Sequence, residues 1–214
     1  MAEGIDGERE AKRVRAFIAP STPAATVEAI AGWQRRALGG RDDLRAIGRD
    51  ALHLTLAFLG ERGPAEIERA RDALLETATE PAPVPVRLDA HPIGLPARRP
   101  RVVAFAAGSG VAVTLRDVIV TRLAAAGLIA PDRRPFRPHL SVARIRGDPP
   151  GRRRAREVLT GLPPLAEPSA PPASTGTGHT FDAVRVALYR SELRSQGARY
   201  SVLADVELPR RCGG

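Results

Sequence analysis

Leu52-His53-Leu54-Thr55-Leu56 and Pro138-His139-Leu140-Ser141-Val142 carry one short pattern twice: histidine, apolar, hydroxyl, apolar. In a strand, alternate side chains share a face. His53 and Thr55 then point one way, and Leu52, Leu54 and Leu56 the other. His139 and Ser141 repeat the arrangement against Leu140 and Val142. Two imidazoles, each with a hydroxyl beside it, form the minimal set for a two-histidine acid–base site. The plainer alternative is a pair of half-buried strands that each carry a polar pair. The chain has only four histidines, and two of them occupy this pattern.

The segments around the two motifs also repeat. Val14-Arg15-Ala16-Phe17-Ile18-Ala19 matches Val102-Val103-Ala104-Phe105-Ala106-Ala107 at four of six positions. Each copy is followed by a helical stretch and then by a histidine strand, at offsets of 88 and 86 residues. Two related strand–helix–strand units follow, and a pseudo-twofold arrangement sets the histidine strands face to face across a cleft.

Working outward, Val14 to Ala19 reads as a strand, and Ser21 as the cap of a helix with Pro23 in its first turn. Leu52 to Leu59 reads as the first motif strand. Pro64 opens a helix with Ile67, Ala70 and Leu74 on one face. Val84 to Leu88 and Val102 to Ala107 read as strands, and Gly110 to Ala126 as a helix closed by Gly127. Leu140 to Ile145 is the second motif strand, and Arg152 to Leu159 a short basic helix. Phe181 to Tyr189 and Tyr200 to Val206 read as a closing hairpin. Residues 1–12 and 209–214 read as tails, 13–208 as one bilobal domain, and 161–178 as a Pro-rich loop.

Composition narrows the partners. The formal charge is +9, and Lys12 is the only lysine, so nearly every cation is an arginine. A GC-rich genome raises Arg, Ala, Gly and Pro together, so the local clusters carry more weight than the total. These are Arg98, Arg99 and Arg101; Arg133, Arg134 and Arg137; and Arg152, Arg153, Arg154 and Arg156. They point to an anionic partner, nucleic acid or nucleotide first. The single cysteine, Cys212, excludes an intrachain disulfide and a cysteine-based metal site. No apolar run approaches the roughly 18 residues of a membrane span, and the polar N-terminus is not a secretory signal. The expectation is a cytoplasmic monomer that does not bind membranes.

The paired motifs resemble those of the two-histidine (2H) phosphoesterase superfamily. His53-Leu54-Thr55-Leu56-Ala57-Phe58-Leu59-Gly60 is similar to the first motif of the bacterial and archaeal RNA 2',3'-cyclic phosphodiesterases, also called 2'-5' RNA ligases. Asp132-Arg133-Arg134-Pro135-Phe136-Arg137-Pro138-His139-Leu140-Ser141-Val142-Ala143-Arg144 is similar to the second with its approach loop. Leu188-Tyr189-Arg190-Ser191-Glu192-Leu193 and Tyr200 also fit. The stretch Arg45-Ala46-Ile47-Gly48-Arg49-Asp50-Ala51 departs from the family, which often carries an aromatic and a proline there.

The resemblance implies an α+β fold: two pseudo-symmetric antiparallel sheets lining a central cleft, with helices outside. It implies hydrolysis of an RNA or nucleotide 2',3'-cyclic phosphate to a 2'-phosphate, without metal or cofactor, with ligation as the reverse reaction. The two histidines then form the acid–base pair; we take His53 as the acid and His139 as the base, the near-equivalence of the motifs leaving the reverse assignment open, with Thr55, Ser141 and Arg137 on the phosphate. Two histidines near neutral pH can hold opposite protonation states, as this chemistry requires. Rival readings are a related phosphodiesterase acting on another cyclic or 2'-5'-linked nucleotide, a non-catalytic RNA-binding module, and a metal hydrolase. The last lacks carboxylates at ligand spacing. His91 and His179 read as surface or structural, Trp33 and Phe58 as core, Tyr189 and Tyr200 as strand packing or base stacking, and Arg144 as facing away from His139.

Overall fold

The computed structural model describes residues 13–79, 84–108, 110–130, 135–147, 157–165, 178–194 and 197–208. The chain runs β1 (Val14–Pro20), α1 (Ala24–Leu38), β2 (Leu44–Ala46), β3 (Ala57–Arg62), α2 (Pro64–Leu75), β4 (Val84–Leu95), β5 (Val102–Gly108), α3 (Gly110–Ala125), β6 (His139–Ile145), β7 (His179–Ala183), β8 (Arg185–Arg194) and β9 (Gly197–Glu207). The strands form two antiparallel sheets, ordered β3-β1-β8-β9 and β2-β6-β5-β4-β7. The fold is α+β, as the sequence predicts. Each histidine motif leads into or lies on a strand paired with its own repeat strand, β3 with β1 and β6 with β5.

The helices form where the sequence supplies their ends. Pro64 stands first in α2, where a missing N–H is no loss, and Glu66 turns back to accept the Gly63 N–H at 2.8 Å. Gly127 ends α3 at φ +69°. Its N–H reaches Ala124 O at 3.0 Å and the Leu128 N–H reaches Leu123 O at 2.9 Å, a Schellman closure. α1 buries Ile30, Ala31, Trp33 and Ala37. Trp33 lies fully inside, edge-on to Phe105 at 5.0 Å, with its indole N–H on Pro163 O at 2.8 Å. It is a core residue, as expected. Among the described residues no helix is long and apolar enough to cross a membrane.

Several local expectations change. Ser21 does not cap α1: its N–H continues the β1–β8 ladder onto Arg185 O, and Pro23 occupies the cap position. The expected strand 181–189 is two strands in different sheets. Val184 separates β7, which completes the second sheet on β4, from β8, which joins β1 to β9. β4 runs to Leu95 past a register shift between Leu88 and Pro92, so His91 lies exposed within a strand rather than at a turn. His179 is buried on β7 with Nε2 3.0 Å from the Thr26 hydroxyl, a structural role as expected. The tails 1–12 and 209–214 lie outside the described residues, as do 166–177 of the expected loop and 152–156 of the basic helix. Residues 157–160 are helical.

Trp33→Ala should lower the unfolding free energy by about 3–5 kcal/mol through the cavity it leaves. Trp33→Phe should lose less, chiefly the indole hydrogen bond at about 1 kcal/mol. Chemical denaturation of the two variants beside the parent checks the order.

Candidate active site

Leu54 pairs with Leu140 in an isolated antiparallel bridge that ties the first motif to the second sheet. Two residues on, the Leu56 N–H donates to Ile18 O at 2.8 Å, which ties it to the first sheet. The first motif is thus a seam between the sheets, not the continuous strand 52–59 expected: regular pairing begins at Ala57. Both central leucines are buried, so period-two alternation turns His53, Thr55, His139 and Ser141 into the cleft between the sheets. All four line one recess of about 620 Å³.

The two histidines are held in the same way. His53 Nδ1 lies 2.9 Å from Ala51 O, and His139 Nδ1 lies 2.8 Å from Arg137 O. A carbonyl only accepts, so Nδ1 carries the hydrogen in each ring. In the neutral ring Nε2 is left as the acceptor. The Ala51 carbonyl is aimed by a single helical turn over Arg49–Ala51. The approach to His139 is held by the Arg116 guanidinium over the Phe136 ring at 5.1 Å and by the Ala107 N–H on Pro138 O at 2.9 Å.

The environments of the two differ. His53 lies against Phe17, with ring centroids 4.6 Å apart, and Tyr200 meets it edge-on at 5.0 Å. Burial there pushes its pKa below the usual histidine value; the Ala51 carbonyl partly opposes this, and the nearby His139 adds to it. His139 sits in the more open part of the cleft.

Arg144 and Phe58 contradict expectation in the same way. Simple alternation places both on the side away from the histidines, yet both line the cleft, and Phe58 is 66% exposed. Alternation fails at the same offset in both motifs. Leu56 and Ala57 are both buried, as are Val142 and Ala143, the third and fourth residues after each histidine. In the second copy Val103 pairs with Ala143 but Ala104 with Ser141, so Val142 is the extra residue of a bulge. The one-residue slip turns Arg144 back onto the histidine face; in the first copy the chain bends at Leu56, just before regular pairing begins at Ala57, and Phe58 returns to that face in the same way. The Val142 carbonyl accepts from the Ile47 N–H at 3.0 Å and from Gln34 Nε2 at 2.8 Å, and the same Gln34 amide donates to Ile47 O at 2.9 Å. A buried glutamine on α1 thereby pins both the bulge and the loop that walls the recess.

The bulge also shows that the sequence repeat is out of register in its first strand. Phe17 pairs with Phe58 and Val102 with Arg144, each the fifth residue after its histidine. Val102, not Phe105, is the counterpart of Phe17. The units repeat in order and pairing, and the four identities of β1 and β5 reflect two apolar strands.

Sequence reading missed two residues of the site. Arg15 and Arg45 line the same recess as the histidines. Arg15 alternates out of an otherwise buried strand, and Arg45 lies on β2, which is too short for a periodic signal. Arg137 does not line that recess but a neighbouring, more apolar one of about 1140 Å³, together with His139, Thr55, Phe58, Arg116 and Arg144. Tyr200 lines the cleft, while Tyr189 stacks on Phe17 at 5.2 Å. Among the described residues no group of three or more His, Cys, Asp or Glu is placed to hold a metal ion.

The chain is similar to known proteins over most of its length. The family model described as the 2'-5' RNA ligase superfamily matches residues 19–190. The solved structure of TT0787 from Thermus thermophilus is similar at a TM-score of 0.72 and 25% identity, covering 92% of this chain and 99% of that one. E. coli LigT, solved with 3'-AMP, is similar at a TM-score of 0.65 and 21% identity, again over 92% and 99% of the two chains. LigT has also been solved with phosphate, at a TM-score of 0.65 and 22% identity over 93% and 99%. A search of curated proteins finds no match.

The burial of His53 sets a pH dependence. The unfolded chain protonates this imidazole near its ordinary pKa of about 6.5, whereas the native state resists the proton. The fold therefore loses stability as pH falls from about 6.5 through the lower native value. NMR titration should place the His53 midpoint below about 6.5, and phosphate should raise it.

Proposed function

Since the chain belongs to the 2'-5' RNA ligase superfamily, we propose that it hydrolyses the 2',3'-cyclic phosphate end of an RNA or nucleotide to a 2'-phosphate, with His53 and His139 as the acid–base pair. The observation that carries this reading is the matched pair of imidazoles. Each has Nδ1 tied to the carbonyl two residues back and Nε2 left for the cleft. LigT, of the same fold, is solved with 3'-AMP, ATP and phosphate, which supports a nucleotide phosphate as the ligand class.

The reaction needs a proton removed on one side of phosphorus and delivered on the other. His139, in the open part of the cleft, takes a proton from water as the water oxygen bonds to phosphorus. The bond from phosphorus to the ribose 3' oxygen breaks, and His53 delivers its proton to that oxygen. Burial lowers the pKa of His53, so its imidazolium gives up a proton readily, and the substrate's negative charge favours its protonated form on binding. Thr55 and Ser141 donate to the non-bridging oxygens as charge gathers there. Arg137, which lines the neighbouring recess together with His139 and Thr55, adds a cation to the same phosphate. No step passes through a metal or cofactor.

The second recess favours a companion reaction. It offers space beside His139 and Thr55 for a strand with a 5'-hydroxyl. That hydroxyl, in place of water, would bond to phosphorus as the 3' oxygen leaves, forming a 2'-5' linkage.

A 2',3'-cyclic-phosphate-ended RNA should give a 2'-phosphate product in the presence of chelator. His53→Ala and His139→Ala should each lower kcat by about 10²–10⁴. A phosphodiester with a nitrophenyl leaving group needs no acid, so it should restore the rate of His53→Ala and not of His139→Ala. A 3'-phosphate product, or near-parental rates in both variants, would overturn the reading.

A further inference from the structure

The recess that holds the histidines is more positive than its reaction requires. Arg15 enters from β1, and Arg45 and Arg144 from β2 and β6. Among the described residues no carboxylate lines the recess. Among the described residues none of these three arginines forms an ion pair. Arg45 and Arg144 are direct cross-strand partners. Like charges so placed repel and weaken a ladder. The hydroxyl of Tyr200 feels the positive charge of both Arg144 and Arg15, so these two approach one region from different sheets, and Arg45, the strand partner of Arg144, lines the same recess. A cyclic phosphodiester brings a single negative charge to that region.

The arginines are not equivalent. Arg144 lines both recesses and therefore sits on the ridge between them, beside His139. Arg15 and Arg45 line only the first recess. A ribose whose 2' and 3' oxygens are tied to the reacting phosphorus has one position left for another phosphate, its 5' oxygen. We propose that Arg15 and Arg45 form a second-phosphate subsite for a phosphate on that 5' oxygen, and so make the enzyme prefer substrates phosphorylated there. This inference rests on the cyclic phosphate reading above and specifies its substrate. The shared chemistry is a ribose cyclic phosphate bearing a 5' phosphate, either the next phosphodiester of an RNA strand or the terminal phosphate of a nucleotide.

Three probes test it: a nucleoside 2',3'-cyclic phosphate, its 5'-phosphorylated form, and a dinucleotide ending in the same cyclic phosphate. At low salt the parent protein should show kcat/KM higher by about tenfold or more for a probe with the 5' phosphate, the weight of a charged hydrogen bond. An advantage confined to the dinucleotide assigns the subsite to a strand. One confined to the 5'-phosphorylated nucleoside assigns it to a nucleotide end. The advantage should shrink as salt rises. In Arg15→Gln and Arg45→Gln the ratio between probes should fall toward one. Equal kcat/KM on all three probes in the parent would overturn the proposal. A loss in the variants that is the same on every probe would also overturn it, because the arginines would then act at the reacting phosphate.

Calorimetry with a nucleoside 2'-phosphate and the matching 2',5'-bisphosphate reads the subsite without turnover. Tighter binding of the bisphosphate, lost in Arg45→Gln, supports the subsite even if no probe is hydrolysed, an outcome that would fail the hydrolytic reading alone. Equal affinity for the two ligands overturns the subsite.

Discussion

Leu54 and Leu140 face each other across a bridge that joins the first histidine motif to the second sheet, and both are almost completely buried. Their burial decides the direction of everything beside them. With leucines inward at the middle of each motif, the residues on either side must point out, and in both copies those residues are a histidine and a hydroxyl. The bridge also sets the distance across the cleft, because antiparallel partners are held only about 5 Å apart at Cα. The driving force is nonpolar: two leucines removed from water, each contributing about 1.5–3 kcal/mol. The polar site is a by-product of that packing, held in place by groups that take no part in the chemistry.

The bend in the first motif and the bulge in the second show how a small departure from regular pairing adds to the site. A strict strand would give the cleft a histidine and a hydroxyl and then send the fifth residue away. With these departures, that residue returns as Phe58 in one copy and Arg144 in the other. This is the position where the two motifs differ in chemistry, an aromatic against a cation, while the histidine positions are identical. The pseudo-symmetry therefore supplies two equal imidazoles, and these returned positions make the walls around them unequal. Gln34 holds the bulge by donating its amide hydrogens to two backbone carbonyls, which leaves no buried donor unsatisfied there.

Much of this was legible from residues alone, for identifiable reasons. The histidine and hydroxyl pairs share a face because period two survives from the histidine to the hydroxyl. The helix ends at Pro64 and Gly127 were legible because they depend on local backbone geometry. Alternation misplaces Arg144 and Phe58 because neither the bulge at Val142 nor the bend at Leu56 leaves a mark in the apolar pattern: Leu56-Ala57 and Val142-Ala143 read equally well as alternating or consecutive buried residues. The break at Val184 was hidden for a similar reason, since an apolar residue continues the strand pattern while the backbone changes sheets. Arg15 and Arg45 escaped because an outward arginine on a strand looks solvated until a second sheet is brought opposite it.

The two histidines, equal in sequence, are made unequal by the aromatic residues of only one sheet. Phe17 and Tyr200 cover His53, and among the described residues no counterpart covers His139, because the position equivalent to Phe17 is Val102. Burial disfavours the charged form of His53, and a charge on His139 would add to that effect. An arriving phosphate carries the opposite charge into the same enclosed space and favours the protonated ring. Protonation of His53 is thus tied to occupancy of the cleft, and the acid is charged when there is a leaving oxygen to receive its proton. The surrounding arginines attract the anion without being able to give up a proton themselves, so they draw in substrate while leaving proton transfer to the histidines.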